Sequence, residues 1–310
     1  MIEISGLVAG DPAAVPAVAA QISAAMARSG FFYVAGHGIA ATKIDAMRHV
    51  ARGFFALDRA AKRSIAINSF NRGYLAPGQA RMHGAAKTDL KEVFFWGREL
   101  AADDPDVRAG LPLCGPNQWP ASPADFRVDV MDYFRAVCRI GDALLGAFAS
   151  SLGRPADAFA RHYLRPMARG QLIHYPALPD AADAAQFSVA PHTDFGCITL
   201  LLQETDGLEV LAADGAWIQV PPREGTLVVN IGDLMERWTA GRYPSTRHRV
   251  RNTTGRARFS TAVFYDPSPS AVVDPAEFAG RADPAHPPVE AANYIHGRNT
   301  GAFAHYAEPT

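Results

Sequence analysis

The second half of the chain is a succession of short apolar strands separated by Pro, Gly and Asp, and this pattern limits the fold more than any other feature. The strands are predicted at residues 170–176, 186–192, 197–203, 207–212, 217–221, 225–233, 245–251 and 258–267. Eight short strands with turn residues between them indicate an antiparallel sandwich, a jelly roll or a small barrel.

The first half of the chain has the apolar spacing of helices. Residues 13–30, 41–57 and 124–153 are predicted helices, and a short strand at 31–39 ends in a Gly-His-Gly turn. Five prolines predict a connecting loop at 101–123. The resulting class is α+β with an all-β core. The predicted regions are a helical and mixed N-terminal region (1–123), a long helix with a linker (124–165), the strand core (166–270) and a C-terminal segment (271–310).

Charge and cysteine content exclude several classes of function. Thirty Lys and Arg balance 31 Asp and Glu, for a net charge of −1. This balance gives no support for binding to nucleic acid or to an anionic membrane. The three cysteines form no CxxC pair, and no apolar run approaches the length of a membrane span. We expect a cytoplasmic protein that acts on a small molecule; the sequence leaves its oligomeric state open.

The stretch PHTDFG at residues 191–196 combines a histidine and a carboxylate two positions apart. Residues i and i+2 of a strand point to the same face, so His192 and Asp194 are predicted to project together as metal ligands. Without a third ligand, the same letters equally describe a strand that ends in a glycine turn. His248, in a later strand across the predicted barrel, is the candidate. Two histidines and one carboxylate form the ligand set of non-haem Fe(II) oxygenases, although zinc also binds such groups.

An oxygenase of this kind needs electrons, which a 2-oxo acid chelated to the iron can supply. The far carboxylate of such an acid requires a fixed cation. Arg258 and Ser260 share one face of the strand at 258–267. A guanidinium group binds a carboxylate through two parallel hydrogen bonds, so both residues are predicted to bind the co-substrate.

Several motifs, taken together in this order, resemble a known family. They are SGFFYVAGHGI, FFALDRAAK, NRGY, DLKEVFFWG, HTDFG, NIGDLMERWTAGRYPSTRHRV and RFS. The chain is similar, over most of residues 1–267, to the isopenicillin N synthase-like group of Fe(II)/2-oxoglutarate dioxygenases. The resemblance implies a double-stranded β-helix (jelly roll) flanked by helices.

The resemblance also implies roles for individual residues. Iron would bind to His192, Asp194 and His248, and 2-oxoglutarate to Arg258 and Ser260. Tyr175 matches a family tyrosine that contacts the co-substrate carboxylate. Two residues earlier the chain departs from the family, because Ile173 stands where many members have asparagine. The cofactors implied are Fe(II), 2-oxoglutarate and O2.

Substrate residues are harder to identify from the sequence. Phe195 and Phe264 flank the inferred site and are predicted to form an aromatic wall. The Gly- and Pro-containing loop at 72–84 offers Arg81 and Met82, but an ordinary surface loop fits its composition equally well. The remaining histidines are interpreted as structural, and Asp89, Lys91 and Glu92 are expected to join the helical half to the barrel.

The predicted reaction is hydroxylation of a small molecule, with release of succinate and CO2. Desaturation, cyclisation and ethylene-type fragmentation of 2-oxoglutarate are alternatives on the same scaffold. A non-catalytic metal-binding sensor is the alternative outside enzymes. The sequence does not name the primary substrate.

Overall fold

The computed structural model describes residues 1–177, 186–252 and 254–306. The three predicted long helices are confirmed as α2 (Ala14–Arg28), α3 (Ala41–Phe55) and α6 (Phe126–Ser151). Shorter helices are α1 (Ser5–Val8), α4 (Arg59–Arg63), α5 (Pro105–Arg108), α7 (Asp233–Trp238), α8 (Pro275–Ala279) and α9 (Ala291–Thr300). None of these helices has both the length and the apolar character that a membrane crossing requires.

Each of the eight predicted strand segments contains a strand. They are β5 (Arg169–Tyr175), β6 (Val189–His192), β7 (Ile198–Gln203), β8 (Leu208–Leu211), β9 (Trp217–Gln219), β10 (Leu227–Ile231), β11 (His248–Val250) and β12 (Arg258–Tyr265). The remaining strands are β1 (Ile2–Glu3), β2 (Phe31–Ala35), β3 (Gly73–Leu75), β4 (Glu92–Gly97), β13 (Val272–Val273) and β14 (Val289–Glu290).

The core strands divide between two sheets. In the described part of the chain, the larger sheet has eight strands in the order β1-β2-β10-β7-β12-β5-β4-β3, and the smaller has four in the order β6-β11-β8-β9. A further short pair joins β13 to β14. Apolar side chains from both main sheets, among them Ile173, Val189 and Val228, form one buried cluster. The two main sheets therefore face each other across an apolar interior.

The larger sheet is buried on both faces, which is why its strands are almost continuously apolar. In β7, Leu200 packs with the helices, whereas Leu201 belongs to the interior cluster. The helix-side core includes Phe54 of α3 and Phe148 of α6, both fully buried. The polar residues of this sheet that point to its inner face, between the sheets, are therefore the candidates for function.

Residues 271–306 have more structure than the sequence suggested. Helix α9 is followed by a segment that lies along the loop at 72–84. Ala80 forms an antiparallel bridge with Phe303, and Arg81 N–H donates to the Ala302 carbonyl. His305 bonds to Asn71 at 2.7 Å. The stretch that follows α9 is thus joined to the loop at 72–84 and to Asn71.

Candidate metal centre

Three side chains converge between the two sheets. The Nε2 atom of His248 lies 3.6 Å from Oδ1 of Asp194, and Nε2 of His192 lies 3.9 Å from the same oxygen. One ligand atom from each residue falls within 4.8 Å of the others. The predicted triad therefore forms a compact group of two imidazole nitrogens and one carboxylate oxygen.

The strand positions of the triad differ from the prediction in two ways. His248 does not face His192 across a barrel; it lies on the adjacent strand β11 and pairs directly with His192. Asp194 does not share strand β6 with His192, because β6 ends at His192. The ladder is irregular between His248 and Val250. This irregularity, on a strand at the edge of its sheet, accommodates Pro191, which cannot donate to a regular ladder.

The backbone fixes the orientation of both histidine rings. Nδ1 of His192 lies 2.9 Å from the Ala190 carbonyl oxygen, and Nδ1 of His248 lies 3.2 Å from that of Thr246. A carbonyl can only accept, so both Nδ1 atoms carry hydrogen when these bonds form. The Nε2 lone pairs are then free and directed at the centre, which is the tautomer that metal-ligating histidines use.

Asp194 is held by two side chains from the larger sheet. Thr199 Oγ1 donates to Oδ2 at 2.6 Å, and Asn230 Nδ2 donates to the same atom at 2.7 Å. Both donors are buried. Because they occupy Oδ2, the other oxygen, Oδ1, is left to face the histidines.

Burial and neighbouring groups set the protonation states of His192 and Asp194. Burial, with a smaller contribution from the adjacent His248, lowers the pKa of His192 to about 3. Burial alone would raise the pKa of Asp194, but the two histidines and the bonds from Thr199 and Asn230 lower it below its ordinary value. A neutral His192 and an ionised Asp194 at neutral pH are the forms that bind a divalent cation.

The turn that carries Asp194 is packed against Gly232. A Cβ atom at residue 232 would lie 2.5 Å from the Gly196 carbonyl oxygen and 2.6 Å from that of Asp194. Asp233 N–H also donates to the Asp194 carbonyl at 2.8 Å. The glycine of the NIGD motif therefore lets β10 approach the ligand turn, and the backbone N–H of Asp233 helps to hold that turn.

Arg258 lies in the interior with unused hydrogen-bonding capacity. Its side chain is almost completely buried. Nη2 donates to Gln203 Oε1 at 3.1 Å and Nε to the Thr205 carbonyl at 3.3 Å, whereas Nη1 has no partner among the described residues. A buried unpaired guanidinium nitrogen is costly, and a bound carboxylate would satisfy it.

Tyr175 and Ser260 lie beside this arginine. Tyr175 is the cross-strand partner of Arg258, and the guanidinium carbon is 4.7 Å from the centre of the tyrosine ring. The Tyr175 hydroxyl and Ser260 Oγ are 3.2 Å apart, and both side chains are buried. The structure thus brings all three predicted co-substrate residues together at one end of the interior.

Two chambers meet at the triad. The Tyr175 chamber contains Tyr175, Arg258, His248 and Asn230. The Phe303 chamber lies toward the C-terminal segment and contains Phe303, Asn299, Arg169 and Phe195. The residues found in both linings are Lys91, Gln171, His192, Asp194 and Phe264. The triad therefore lies between the predicted co-substrate residues and a second space.

The structure brings together most of the predicted substrate residues. Phe195, Phe264 and Met82 line the Phe303 chamber. Arg81 does not: its side chain is exposed and its backbone bonds to the C-terminal segment. The 72–84 loop thus contributes Met82 to the site, while Arg81 faces solvent.

Sequence reasoning missed several residues of the site. Asn299 and Phe303 belong to the C-terminal segment, where no motif drew attention to them. Gln171 lies in an apolar strand, and only alternation from Tyr175 could have placed it inside.

Lys91 was interpreted as a link between the halves of the protein. It does form an ion pair with Asp89, but it also lines both chambers.

A cavity larger than either chamber lies elsewhere in the described part of the chain. It measures about 770 Å³ and includes His37, Arg52, Glu204 and Arg223. Its charges are mixed, and within the described residues the group able to hold a metal is the His192, Asp194 and His248 triad. Chemistry, rather than size, therefore identifies the site.

The comparisons with known proteins agree with this geometry. Residues 1–122 match the family model of the non-haem dioxygenase in morphine synthesis N-terminal region, and residues 163–267 match that of the 2OG-Fe(II) oxygenase superfamily. The 2-oxoglutarate-Fe(II) type oxidoreductase hxnY of Emericella nidulans is 36% identical over 307 residues, which cover 96% of this chain and 88% of that protein. The 2-oxoglutarate-dependent dioxygenase traH of Penicillium crustosum is 36% identical, covering 79% of this chain and 76% of that protein.

Solved structures show the same architecture. A full-length Neurospora crassa protein in complex with alpha-KG and thymine superposes with a TM-score of 0.83 and 26% identity, covering 96% of this chain and 95% of that one. A 2OG-Fe(II) oxygenase family protein from Caulobacter crescentus has a TM-score of 0.82 and 30% identity, covering 96% and 97%. These likenesses confirm the double-stranded β-helix flanked by helices.

Fold and relatives together define a non-haem iron dioxygenase. The chain belongs to the 2OG-Fe(II) oxygenase superfamily, with the isopenicillin N synthase-like arrangement of an N-terminal dioxygenase region before the oxygenase core. It is an oxidoreductase that uses Fe(II), 2-oxoglutarate and O2 to oxidise a small molecule.

Proposed function

We propose that this dioxygenase hydroxylates its substrate, with iron on His192, Asp194 and His248 and the far carboxylate of 2-oxoglutarate on Arg258. The observation that carries the proposal is the buried Nη1 of Arg258, which has no partner among the described residues, in a side chain that lines the same chamber as the triad. When bound, the iron and co-substrate supply the oxidising chemistry, in which 2-oxoglutarate is converted to succinate and CO2.

The protein residues hold the reactants. The triad offers two imidazole nitrogens and one carboxylate, the donor set that non-haem Fe(II) sites use. Tyr175 and Ser260 present hydroxyl groups on the same wall as Arg258, so they orient the carboxylate that Arg258 binds. Ile173 stands where many family members have asparagine, and its side chain cannot donate a hydrogen bond. Binding of 2-oxoglutarate therefore relies more heavily on Arg258, Tyr175 and Ser260.

Several finer features remain part of the proposal. Cys114, Cys138 and Cys197 all have free thiols, which suits the reducing cytoplasm predicted from the sequence. The partner is a small molecule rather than nucleic acid, because the balanced net charge provides no attraction for phosphates. The domain boundaries at residues 123, 165 and 270 stay a prediction.

The iron and co-substrate sites can be tested by spectroscopy. Anaerobic addition of Fe(II) and 2-oxoglutarate should give a weak visible charge-transfer band, and His192→Ala should abolish it. His83→Ala is the matched control, because His83 is exposed on the 72–84 loop. Absence of the band from the wild-type protein, together with no binding of either component, would contradict the proposal.

The reaction outcome needs its own experiment. A metabolite screen that scores substrate-stimulated succinate release identifies a substrate, and labelled dioxygen then reports the product. Hydroxylation places one labelled oxygen atom in the product. A product that has lost two hydrogens and gained no label would instead establish desaturation or ring closure.

A further inference from the structure

The Phe303 chamber contains more hydrogen-bond donors than its own residues use. Arg169 Nε is buried and has no hydrogen-bond partner among the described residues, and Asn299 Nδ2 is buried with the Tyr306 hydroxyl as its neighbour. Both residues line the Phe303 chamber and are absent from the lining of the Tyr175 chamber. Both residues therefore lie on the side of the triad away from Arg258. A ligand that satisfies their N–H groups must bring acceptor atoms.

Two cations at this chamber are fixed by buried carboxylates. Arg169 Nη2 donates to Asp266 Oδ2 at 2.6 Å, and Lys91 Nζ lies 3.2 Å from Asp89 Oδ2. These contacts hold the cations in place without using all their donors, since a lysine ammonium has three and arginine has five. Among the described residues that line this chamber, the acidic side chain is Asp194, already directed at the metal position. The unused hydrogen-bond donors at this chamber thus belong largely to positively charged side chains.

The aromatic side chains of the chamber are held rigidly. The Arg169 guanidinium lies 5.4 Å from the Phe264 ring centre, and the Arg298 guanidinium lies 4.6 Å from that of Phe195. Arg298 is itself fixed by Asp233 at 2.8 Å. Each ring is therefore oriented before a ligand arrives. Fixed aromatic rings favour a flat apolar partner that can stack or meet them edge to face.

We propose that the primary substrate is a small aromatic acid: a flat ring that carries a carboxylate. Its carboxylate binds to N–H donors of Arg169, Asn299 and Lys91, and its ring packs against Phe195 and Phe264. This inference rests on the proposed function, since it places the acid in the same site as the iron and co-substrate. It assigns Asn299, from the C-terminal segment, a role in substrate selection.

The test uses the complete protein loaded anaerobically with Fe(II) and 2-oxoglutarate. Benzoate and 2-naphthoate are titrated against benzamide, 2-naphthamide and cyclohexanecarboxylate, and the shift of the visible band gives each dissociation constant. At least one aromatic acid should bind tenfold or more tightly than both its amide and the saturated acid. An amide that binds as well overturns the requirement for an anion. A saturated acid that binds as well overturns the requirement for a flat ring.

Absence of binding by every compound in the panel would also overturn the proposal. That result is distinct from failure of the proposed function, because the Fe(II) and 2-oxoglutarate band would still be present. If the band itself does not form, the iron and co-substrate assignment is at fault instead.

Substitutions test which side chains bind the carboxylate of the substrate. Asn299→Leu should weaken binding of the preferred acid at least threefold and leave the affinity for 2-oxoglutarate unchanged, because Asn299 lies outside the Tyr175 chamber. Asn293→Leu is the matched control on the same helix, where Asn293 bonds only to Glu290 in the described part of the chain. Equal acid affinity in both variants would remove Asn299 from the substrate site.

Arg169→Lys provides a second, independent variant that keeps the positive charge beside Asp266 but removes the Nε donor. It should also weaken binding of the acid at least threefold. If Asn299→Leu proves unstable, unchanged acid affinity in Arg169→Lys would by itself contradict the proposed carboxylate site.

Discussion

His248 is the direct cross-strand partner of His192, and their ring centres lie 4.2 Å apart. Directly opposed residues of an antiparallel pair project from the same face of the sheet. Two of the three metal ligands are therefore positioned by the pairing of β6 with β11, and only Asp194 depends on a turn. Asp194 has no such strand pairing. Its carboxylate is instead fixed by hydrogen bonds from Thr199 and Asn230, which lie in the larger sheet.

Removing either donor to Asp194 should weaken the iron site. Thr199→Val or Asn230→Leu frees Oδ2 and lets the carboxylate rotate, so we expect Fe(II) affinity to fall about 10- to 100-fold, as for other hydrogen-bond partners of metal ligands. The measurement is anaerobic Fe(II) titration. Thr261→Val is the control, since Thr261 is equally buried but bonds to Met47 on the helix side of the sheet. Equal affinities in the Thr199 and Thr261 variants would exclude this role.

Arg258→Ala should reduce 2-oxoglutarate binding by about 2–5 kcal/mol, the cost of truncating one partner of a buried charge pair. Isothermal titration with Fe(II) present measures the change. Arg256→Ala, an exposed arginine two residues away, should bind 2-oxoglutarate like the wild type. An unchanged affinity in Arg258→Ala would remove this residue from the co-substrate site.

Glu92 should make the fold sensitive to acid. Burial opposes its ionisation, but hydrogen bonds from His174, Lys62 and Tyr74 lower the pKa of Glu92 from 4.5 to about 2. A pKa lower in the folded state means that the ionised group stabilises the fold above pH 4.5, and that this contribution is lost as the pH falls toward 2. The shift corresponds to roughly 3 kcal/mol.

The free energy of unfolding of Glu92→Gln should therefore lie well below that of the wild type at pH 6, and the gap should narrow between pH 4.5 and 2. Glu99→Gln is the comparison, because Glu99 pairs with the largely exposed Arg127 and such pairs contribute little. Denaturant unfolding across this pH range gives both curves. A gap for Glu92→Gln that stays constant with pH would contradict the assignment.

Gly232→Ala should damage the metal centre without touching a ligand. The added methyl group would collide with the backbone of Asp194 and Gly196, which cannot move aside like a flexible side chain. We expect lower Fe(II) affinity together with a stability loss of about 1–3 kcal/mol, typical of overpacking. Gly146→Ala, where the nearest atom lies at 3.5 Å, is the control for adding a methyl group. Normal iron binding in Gly232→Ala would show that the turn tolerates displacement.

The sequence predicted the strands because they depend on local patterns, and it predicted the triad residues from the types and order of the motifs, although not from their correct strand positions. Alternation correctly placed Arg258 and Ser260 on one inner face, and a shared motif order supplied the family. The pairing of β6 with β11 could not be predicted in the same way, because it depends on which strands become neighbours. Asn299 escaped notice for a related reason: its segment has no motif of its own, and its position depends on backbone bonds to the loop at 72–84.

The bridge between Ala80 and Phe303 joins two segments that are far apart in the chain and that both line the Phe303 chamber, one through Met82 and the other through Asn299 and Phe303. Substitutions in these segments should alter substrate binding, whereas the residues proposed to hold iron and 2-oxoglutarate should keep their positions. On the proposed assignment, exchanging the paired segments for those of a relative should change the contribution of Met82, Asn299 and Phe303 to substrate binding and leave the residues proposed to hold iron and 2-oxoglutarate unchanged.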